Sequence, residues 1–399
     1  MPADPATHPP LSPPRGHAPP PFHRLAGALR RAAPALLLYV VVRLAGIVVV
    51  AIVAHHTGRS MWSALGNSWD SRWYAGIAQH GYGTTRPSRI PGIVRSDLAF
   101  FPLFPGLERA VTALVPVSLV VAGLTVAWVS AVFAAWGIHA VGERLYGRRA
   151  ATMLVLLYAV LPHAVVMTMA YSEPLMTALA AWSLYALLTR RWLWAGSLAL
   201  LAGLARPSGI AVAAAVLSAA LIVLWQRKGA RRDWRIWTGA LLAPLGWLGY
   251  VAWVGTRSGG PLGYFRIQRE WGSRFDFGRS ELDFIRRLVT DEGGTPHLAY
   301  YMGVAGVLVA VPALVLLILD RPPLPLLIYT LVLFVLAVGG SHYYSSRPRF
   351  LLPAFPLLFP AARAMAKARP RTVAVLTGSL TVLSLTYGEY LLLFSTTAP

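Results

Sequence analysis

Residues 67–82 read NSWDSRWYAGIAQHGY, shortly after the first strongly apolar segment of a very apolar chain. Asp70 lies there among aromatics beside a membrane surface, where a carboxylate is costly unless it has a task. The pattern predicts a helix from Asp70 to His80 with Gly81 as its stop. On that helix Asp70, Trp73, Tyr74 and Ile77 share one face. Such a helix would lie on the membrane with an acid at its N-terminal end. Asp is also a good helix cap. Capping and catalysis therefore stand as even readings of Asp70, and one residue could do both.

Working outward, the composition sets the environment. Of 399 residues 56% are hydrophobic and 13% charged, and the mean hydropathy is +0.56. A soluble domain carries about 25% charged residues. The chain is therefore expected to be an all-α polytopic membrane protein. Cysteine is absent, which excludes disulfides, thiol catalysis and thiolate metal sites. The net charge of +21 does not call for nucleic acid. Most basic residues sit at the ends of apolar segments, where topology and anionic membrane lipids account for them.

Residues 1–31 are Pro-rich and carry Arg15, Arg24, Arg30 and Arg31. They read as a disordered basic tail on the cytoplasmic side, not a cleavable signal peptide. Residues 32–399 then form a single membrane domain. Its apolar segments are 33–54, 113–139, 150–170, 173–189, 192–205, 207–226, 236–256, 298–319, 324–340, 350–366 and 372–395, which gives about eleven transmembrane helices. Several are shorter than the ~20 residues of a straight span and are expected to be tilted, re-entrant or merged. With the tail inside, every inner loop is basic: Arg144, Arg148 and Arg149; Arg190 and Arg191; Arg227 to Arg235; Arg321; Arg363 to Arg371. That is the positive-inside pattern. The loop 257–297, outside in this scheme, is an exception with seven Arg and six acids. Asp70, Asp97, Glu173, Arg206 and the segment Ser341–Arg349 also fall on the outer face.

Five outer constellations could carry chemistry. The loop at about 55–112 is long for a connector, a length that usually serves function. After the Asp70 helix it has a Gly/Pro/Arg-rich stretch, Gly83 to Arg95, and then AFFPLFP at 99–105. Prolines 102 and 105 argue against a regular helix there. An aromatic re-entry segment closing over the site is expected, with a plain interfacial aromatic belt as the competing reading. Tyr171-Ser172-Glu173-Pro174 is a tight turn in which Ser172 can cap the next helix. Arg206-Pro207-Ser208-Gly209 breaks an apolar run, so Arg206 must pair with a carboxylate or bind an anion. In 257–297, Arg266 and Arg269 share a short amphipathic helix, with Tyr264, Phe265 and Trp271 as membrane-facing anchors. Arg and aromatics together suit a lipid phosphate, while attraction to anionic lipid is the simpler account. The loop 341–349 places His342, Tyr343, Arg347 and Arg349 at the surface as a phosphate site. There is no Walker or Rossmann glycine motif, no HExxH, and no soluble domain to hold a nucleotide sugar. An outer site without one needs an activated substrate delivered in the membrane, which a polyprenyl-phosphate sugar supplies.

The residues quoted resemble a known family. WDSRWYAGIAQHGY is similar to the signature of PIG-V-type mannosyltransferases, which act on GPI-anchor intermediates. The resemblance extends to AFFPLFP at 99–105, YSE at 171–173, ARPSGI at 205–210 and RFLLPAFP at 349–356. It implies a GT-C glycosyltransferase fold with amphipathic outer-loop helices, an outer-face site, a polyprenyl-phosphate mannose donor and an essential acid, which maps onto Asp70. The acceptor would be a lipid-linked glycan or another glycan.

The expected reaction is inverting transfer, with Asp70 as general base. Trp69, Arg72 and Tyr74 would contact substrate beside it. Arg206, Arg347 and Arg349 would stabilise the departing phosphate, and Glu173 would orient the acceptor or Arg206. No cofactor is called for, because Arg can neutralise the phosphate; a metal on Asp70 and Glu173 stays open. Two alternatives remain: another polyprenyl-phosphate sugar, such as glucose or arabinofuranose, and a transporter or lipid flippase, to which the intramembrane Arg43 would be suited.

Overall fold

The computed structural model describes residues 21–87, 93–290 and 297–399. Its helices are α1 Pro21–His56, α2 Met61–Gly66, α3 Asp70–His80, α4 Leu103–Leu114, α5 Leu119–Ala159, α6 Glu173–Leu188, α7 Trp192–Ala205 and α8 Ile210–Gln226. They continue as α9 Trp234–Arg257, α10 Gly263–Glu270, α11 Arg279–Thr290, α12 Leu298–Leu319, α13 Leu324–Val338, α14 Arg347–Leu351, α15 Phe359–Lys367 and α16 Pro370–Glu389. A two-stranded antiparallel hairpin, β1 Thr85–Pro87 and β2 Val94–Ser96, is the one sheet among the described residues. The helical, polytopic fold class expected from composition is the one observed.

Among the described residues five helices are long and apolar enough to cross a membrane: α1 from Ala26, α5, α8 from Pro207, α9 and α12. A 3₁₀ segment Pro162–Thr168 and α6, bent by 97° at the break between them, form a broken span or a re-entrant loop. α7 and α13 are shorter apolar helices. The eleven segments are therefore not matched one for one. α5 covers two of them and is itself two arms. Gly147 has φ 82°, a left-handed conformation inside the run. A Cβ added to Gly142 would stand 3.1 Å from Cα of Ala151. Nine residues along one straight helix span about 13.5 Å, so the chain doubles back at Gly147, where the basic turn 144–149 was expected. The second arm ends at Ala159 rather than 170, because Pro162 ends regular helix and the chain continues as 3₁₀.

Two other expectations are corrected. Helix begins at Pro21, inside the expected tail, since the Leu/Ala/Arg-rich run from Leu25 favours helix; residues 1–20 lie outside the described set. Prolines 102 and 105 also do not exclude helix. They occupy the N-cap and first turn of α4, where a missing N–H costs nothing.

The core is a continuous packing of α1, α5, α6, α7, α8, α9 and α13. α7 and α9 approach through small residues: a Cβ on Gly196 would meet Gly239 O at 2.2 Å, and one on Gly246 would meet Leu200 O at 1.9 Å. Such close backbone approach is a typical packing device between apolar helices. A second cluster, with Phe101, Tyr250, Tyr264 and Ile267, ties the first long loop to α9 and α10. Tyr264 is thus buried against Phe101 rather than facing lipid, and Phe265 alone of the three expected anchors is exposed. An aromatic helix face does not say in sequence whether it meets lipid or other aromatics.

Candidate active site

α3 runs from Asp70 to His80 and stops at Gly81, whose φ of 77° a side chain would resist. Asp70 does not cap it. The N-cap is Trp69, without a side-chain cap bond, and the Asp70 carboxylate instead accepts from Arg349 Nη2. The Asp70 N–H donates to the Tyr171 hydroxyl at 3.4 Å. Trp69 has φ 50° and ψ −117°, a conformation that costs a non-glycine residue about 1–3 kcal/mol. Strain is thus held immediately before the acid.

Arg349 is the hub. α14 and the preceding 3₁₀ turn Tyr344–Ser346 project it into the protein, where its side chain is 4% exposed. Nη2 pairs with Asp70 and Nε with Glu173. Its guanidinium carbon lies 4.5 Å over the Tyr171 ring. The other Glu173 oxygen lies 2.6 Å from Arg206 Nη1, so Arg206 pairs with a carboxylate, one of its two expected options. Ser172 occupies the N-cap of α6 without a side-chain cap bond. Its hydroxyl bonds Tyr74 at 2.6 Å and accepts from Arg206 at 3.1 Å. The two acids differ in access: the Glu173 side chain is 1% exposed and that of Asp70 is 24% exposed.

Asp70, Tyr74, Glu173, Arg206 and Arg349 line one cavity of about 580 Å³. From the expected site residues it gathers Asp70, Tyr74, Glu173, Arg206, Arg269, Tyr343, Arg347 and Arg349. It does not gather Trp69, Arg72, Arg266 or His342. Arg72 donates to Asn67 O at 2.8 Å, Arg266 donates to Ser258 O, and the His342 ring packs by Gly272. Arg347 is committed elsewhere: it pairs with Glu281 at 2.9 Å and donates to Ala337 O at 2.7 Å and to Gly340 O. Arg269 and Arg274 line the cavity without a carboxylate partner among the described residues.

Sequence reasoning missed Arg274 and assigned Trp271 to lipid. Trp271 lines the cavity, donates to Ser96 O at 3.0 Å and touches Trp73 and Phe100 edge-on. Arg274 is fixed by Ser341, which donates its N–H to Arg274 O at 2.6 Å and accepts the Arg274 N–H at 3.0 Å. Both residues belong to the loop 257–297, whose excess of outer-face Arg was the available signal. Tyr343 donates to Trp271 O at 2.7 Å, and burial pushes its hydroxyl up to about 12, against the pull of the Arg95 charge. Among the described residues no three His, Asp or Glu side chains converge to hold a metal ion.

Arg43, read as a transporter-like charge, is a structural cap. It donates to Ala164 O at 2.6 Å and to Ala159 O, carbonyls freed where α5 ends.

Comparison with known proteins agrees with this architecture. ArnT from Cupriavidus metallidurans, solved bound to undecaprenyl phosphate, aligns with TM-score 0.53 and 16% identity, covering 92% of this chain and 66% of ArnT. The oligosaccharyltransferase AglB from Archaeoglobus fulgidus, solved with an inhibitory peptide and a dolichol-phosphate, aligns at 0.44 and 14%, covering 93% and 56%. The chain therefore spans under two thirds of either neighbour. No curated protein sequence matches it. The model of the mannosyltransferase (PIG-V) family matches residues 39–243, just over half of the 399. That match takes in the Asp70 helix, Glu173 and Arg206 together, and the chain belongs to the mannosyltransferase (PIG-V) family.

Proposed function

We propose that this membrane glycosyltransferase moves mannose from a polyprenyl-phosphate donor to a hydroxyl of a lipid-linked or other glycan acceptor, with inversion. The observation that carries the reading is the Arg349 clamp. It holds two carboxylates from distant parts of the chain at the cavity and leaves Asp70 the more accessible of the two, 24% exposed against 1% for Glu173. One Asp70 oxygen is bound by Arg349; the other accepts no hydrogen bond among the described residues. That oxygen is the general base. The acceptor O–H gives its proton to it as the oxygen bonds to the anomeric carbon. The bond from that carbon to the phosphate oxygen breaks, and its electron pair leaves on the phosphate.

Arg269 and Arg274 are the cations best placed to take the growing phosphate charge, because neither is neutralised by a carboxylate among the described residues. Arg206, paired with Glu173, adds to the field from the cavity wall. Glu173 is a positioning residue: buried between Arg206 and Arg349, it aligns both. The polyprenyl carrier is argued by analogy with ArnT, which was solved with undecaprenyl phosphate. The cavity lies on the outer face in this reading, and the N-terminus is cytoplasmic.

The test is a transfer assay on membranes containing the full chain, supplied with radiolabelled polyprenyl-phosphate mannose. Label should pass to lipid or glycan fractions with wild type and not with Asp70→Asn. Equal transfer by both proteins would overturn the reading. Transfer from polyprenyl-phosphate glucose or arabinofuranose instead of mannose would reassign the sugar.

A further inference from the structure

α10 carries two polar side chains on the cavity wall that the transfer step leaves unused, Tyr264 and Gln268. One helical turn separates them, so they are neighbours on one face. Gln268 Nε2 donates to Ala99 O at 3.3 Å and to the Tyr264 hydroxyl at 2.8 Å. A carbonyl oxygen can only accept, so the amide nitrogen must be the atom that faces Ala99. A side-chain amide has two N–H groups, and these bonds use both. The remaining amide oxygen, Oε1, accepts no hydrogen bond among the described residues, and it stays accessible on a residue that lines the cavity.

The Tyr264 hydroxyl accepts from Gln268 and gives its own proton to no group among the described residues. Burial pushes its ionisation above the usual tyrosine range, so it stays a donor. Both groups are held in place. The Tyr264 ring is buried and meets Phe101 edge-on at 5.7 Å, while Ala99 anchors the amide from the first long loop. Most other hydroxyls on the cavity wall are already committed. Tyr74 is bonded to Ser172 at 2.6 Å, Tyr343 to Trp271 O at 2.7 Å, Ser341 to Gly272 O at 3.0 Å and Ser346 to Ala398 O at 3.2 Å. The Ser208 and Ser273 hydroxyls make no hydrogen bond among the described residues and are free to rotate, so neither presents a fixed direction.

A fixed acceptor beside a fixed donor selects its ligand. An ionised phosphate only accepts, and would meet the lone pairs of Oε1. An ammonium only donates, and would leave the Tyr264 proton without a partner. A neutral hydroxyl does both at once. The neighbouring residue names its owner. Arg269 follows Gln268 on α10, lines the same cavity and is one of the two cations assigned to the donor phosphate. A hydroxyl held beside that phosphate belongs to the sugar the phosphate carries.

We propose that Gln268 Oε1 and the Tyr264 hydroxyl together bind one hydroxyl of the sugar being transferred, and so help set which sugar the enzyme accepts. This rests on the glycosyl-transfer reading, so its test measures binding first and turnover separately. The full chain in nanodiscs of neutral phosphatidylcholine is titrated with farnesyl-phosphate mannose and with farnesyl phosphate. Wild type should bind the mannosyl compound more tightly. Gln268→Leu and Tyr264→Phe should each weaken that binding about tenfold, the scale of one hydrogen bond whose partner is left unpaired. Neither should change the affinity for farnesyl phosphate. Tyr264→Phe keeps the ring and its packing, so it stands as the second variant if Gln268→Leu folds poorly. Mannosyl compounds deoxygenated at one ring position at a time should then divide. One of them should bind wild type more weakly and lose nothing further with Gln268→Leu, because residue and hydroxyl form a single contact.

Equal weakening of farnesyl phosphate and of its mannosyl form would make the two residues structural and overturn the proposal. Mannosyl-compound affinity equal to wild type in both variants would overturn it as well. If every deoxygenated compound loses as much with Gln268→Leu as with wild type, no sugar hydroxyl meets Gln268 and the assignment falls. Turnover separates the two readings. If wild type binds the mannosyl compound through Gln268 and Tyr264 yet transfers no mannose, the transfer reading alone fails. If wild type transfers mannose and Gln268→Leu matches it in donor affinity, the recognition proposal alone fails.

Discussion

Asp70 and Glu173 share one guanidinium, yet their substitutions should have opposite signatures. Asp70→Asn leaves Arg349 its bond to Glu173 and removes no helix cap, because Asp70 caps nothing. Turnover should fall about a hundredfold or more while the melting temperature stays near wild type. Glu173→Gln removes the carboxylate that Arg206 and Arg349 share, leaving Arg206 without a carboxylate partner among the described residues and Arg349 with Asp70 alone. A loss of about 3–5 kcal/mol is expected for breaking a buried pair in this way, read as poor yield and a lowered melting temperature in detergent. If Asp70→Asn is the unstable variant and Glu173→Gln the stable one, the roles are reversed. For Arg274, Arg274→Gln should raise the KM for donor with little change in stability, since its side chain makes no ion pair among the described residues. Arg43→Leu should destabilise by about 1–3 kcal/mol and leave the donor KM alone, because Arg43 satisfies helix-end carbonyls. Asp70 stood out in sequence because a charge in an apolar chain is conspicuous. Its partner did not: nothing in residues 341–349 says that Arg349 turns inward to two acids while Arg347 turns to Glu281.

Elements were legible where one local rule governs them. α3 could be read to the residue because Gly81 ends it. The turn at Gly147 was marked by its basic cluster. The α4 start was misread because proline was weighed as a breaker without asking whether its N–H would have been used. α11 offers a pH test at this scale. Burial pushes the Asp276 carboxyl up, but hydrogen bonds from the Ser280 hydroxyl and from the N–H groups of Ser280 and Gly278 outweigh it, and the group is held below the usual carboxylate range. A depressed folded pKa stabilises above the unfolded value and is lost as pH falls through the folded one. Acidification below about pH 4 should therefore loosen the start of α11, seen as faster exchange of the Gly278 and Ser280 amides after correction for intrinsic rate. Asp276→Asn should flatten that pH dependence; an unchanged profile would remove Asp276 as its cause. Between α7 and α9 the small residues are structural, and Gly246→Ala should cost about 1–3 kcal/mol by overpacking.

At the scale of the whole molecule, the fold sorts its polar residues into two sets. Residues expected on the outer face meet at one cavity: Asp70 from the first long loop, Glu173 from the second turn, Arg206, Arg269, Arg274 and Arg349. Residues expected inside meet one another instead. Arg31 pairs with Glu143 at 3.1 Å, Arg149 donates to Ala368 O at 3.4 Å, and Arg363 pairs with Asp320. No ion pair among the described residues joins the two sets. Charge bias could suggest this division from sequence, because it depends only on which loops carry Arg. Sequence could not give the number of crossings, because α5 folds back within one apolar run and the chain between α5 and α6 bends instead of spanning straight. The division puts the candidate catalytic groups together on one face, and which face that is has a direct test. A reporter active only in the cytoplasm should work when fused near Arg148, Arg191, Lys228 or Arg369. It should be silent near Gly81, Arg279 or Ser345. Because the last three positions lie in segments that each contribute side chains to one cavity, they must agree with one another whatever the orientation. Cytoplasmic activity at all three would invert the protein, place Asp70 on the inner side and end the outer-face mechanism. A split among them would contradict the assembly of the cavity itself.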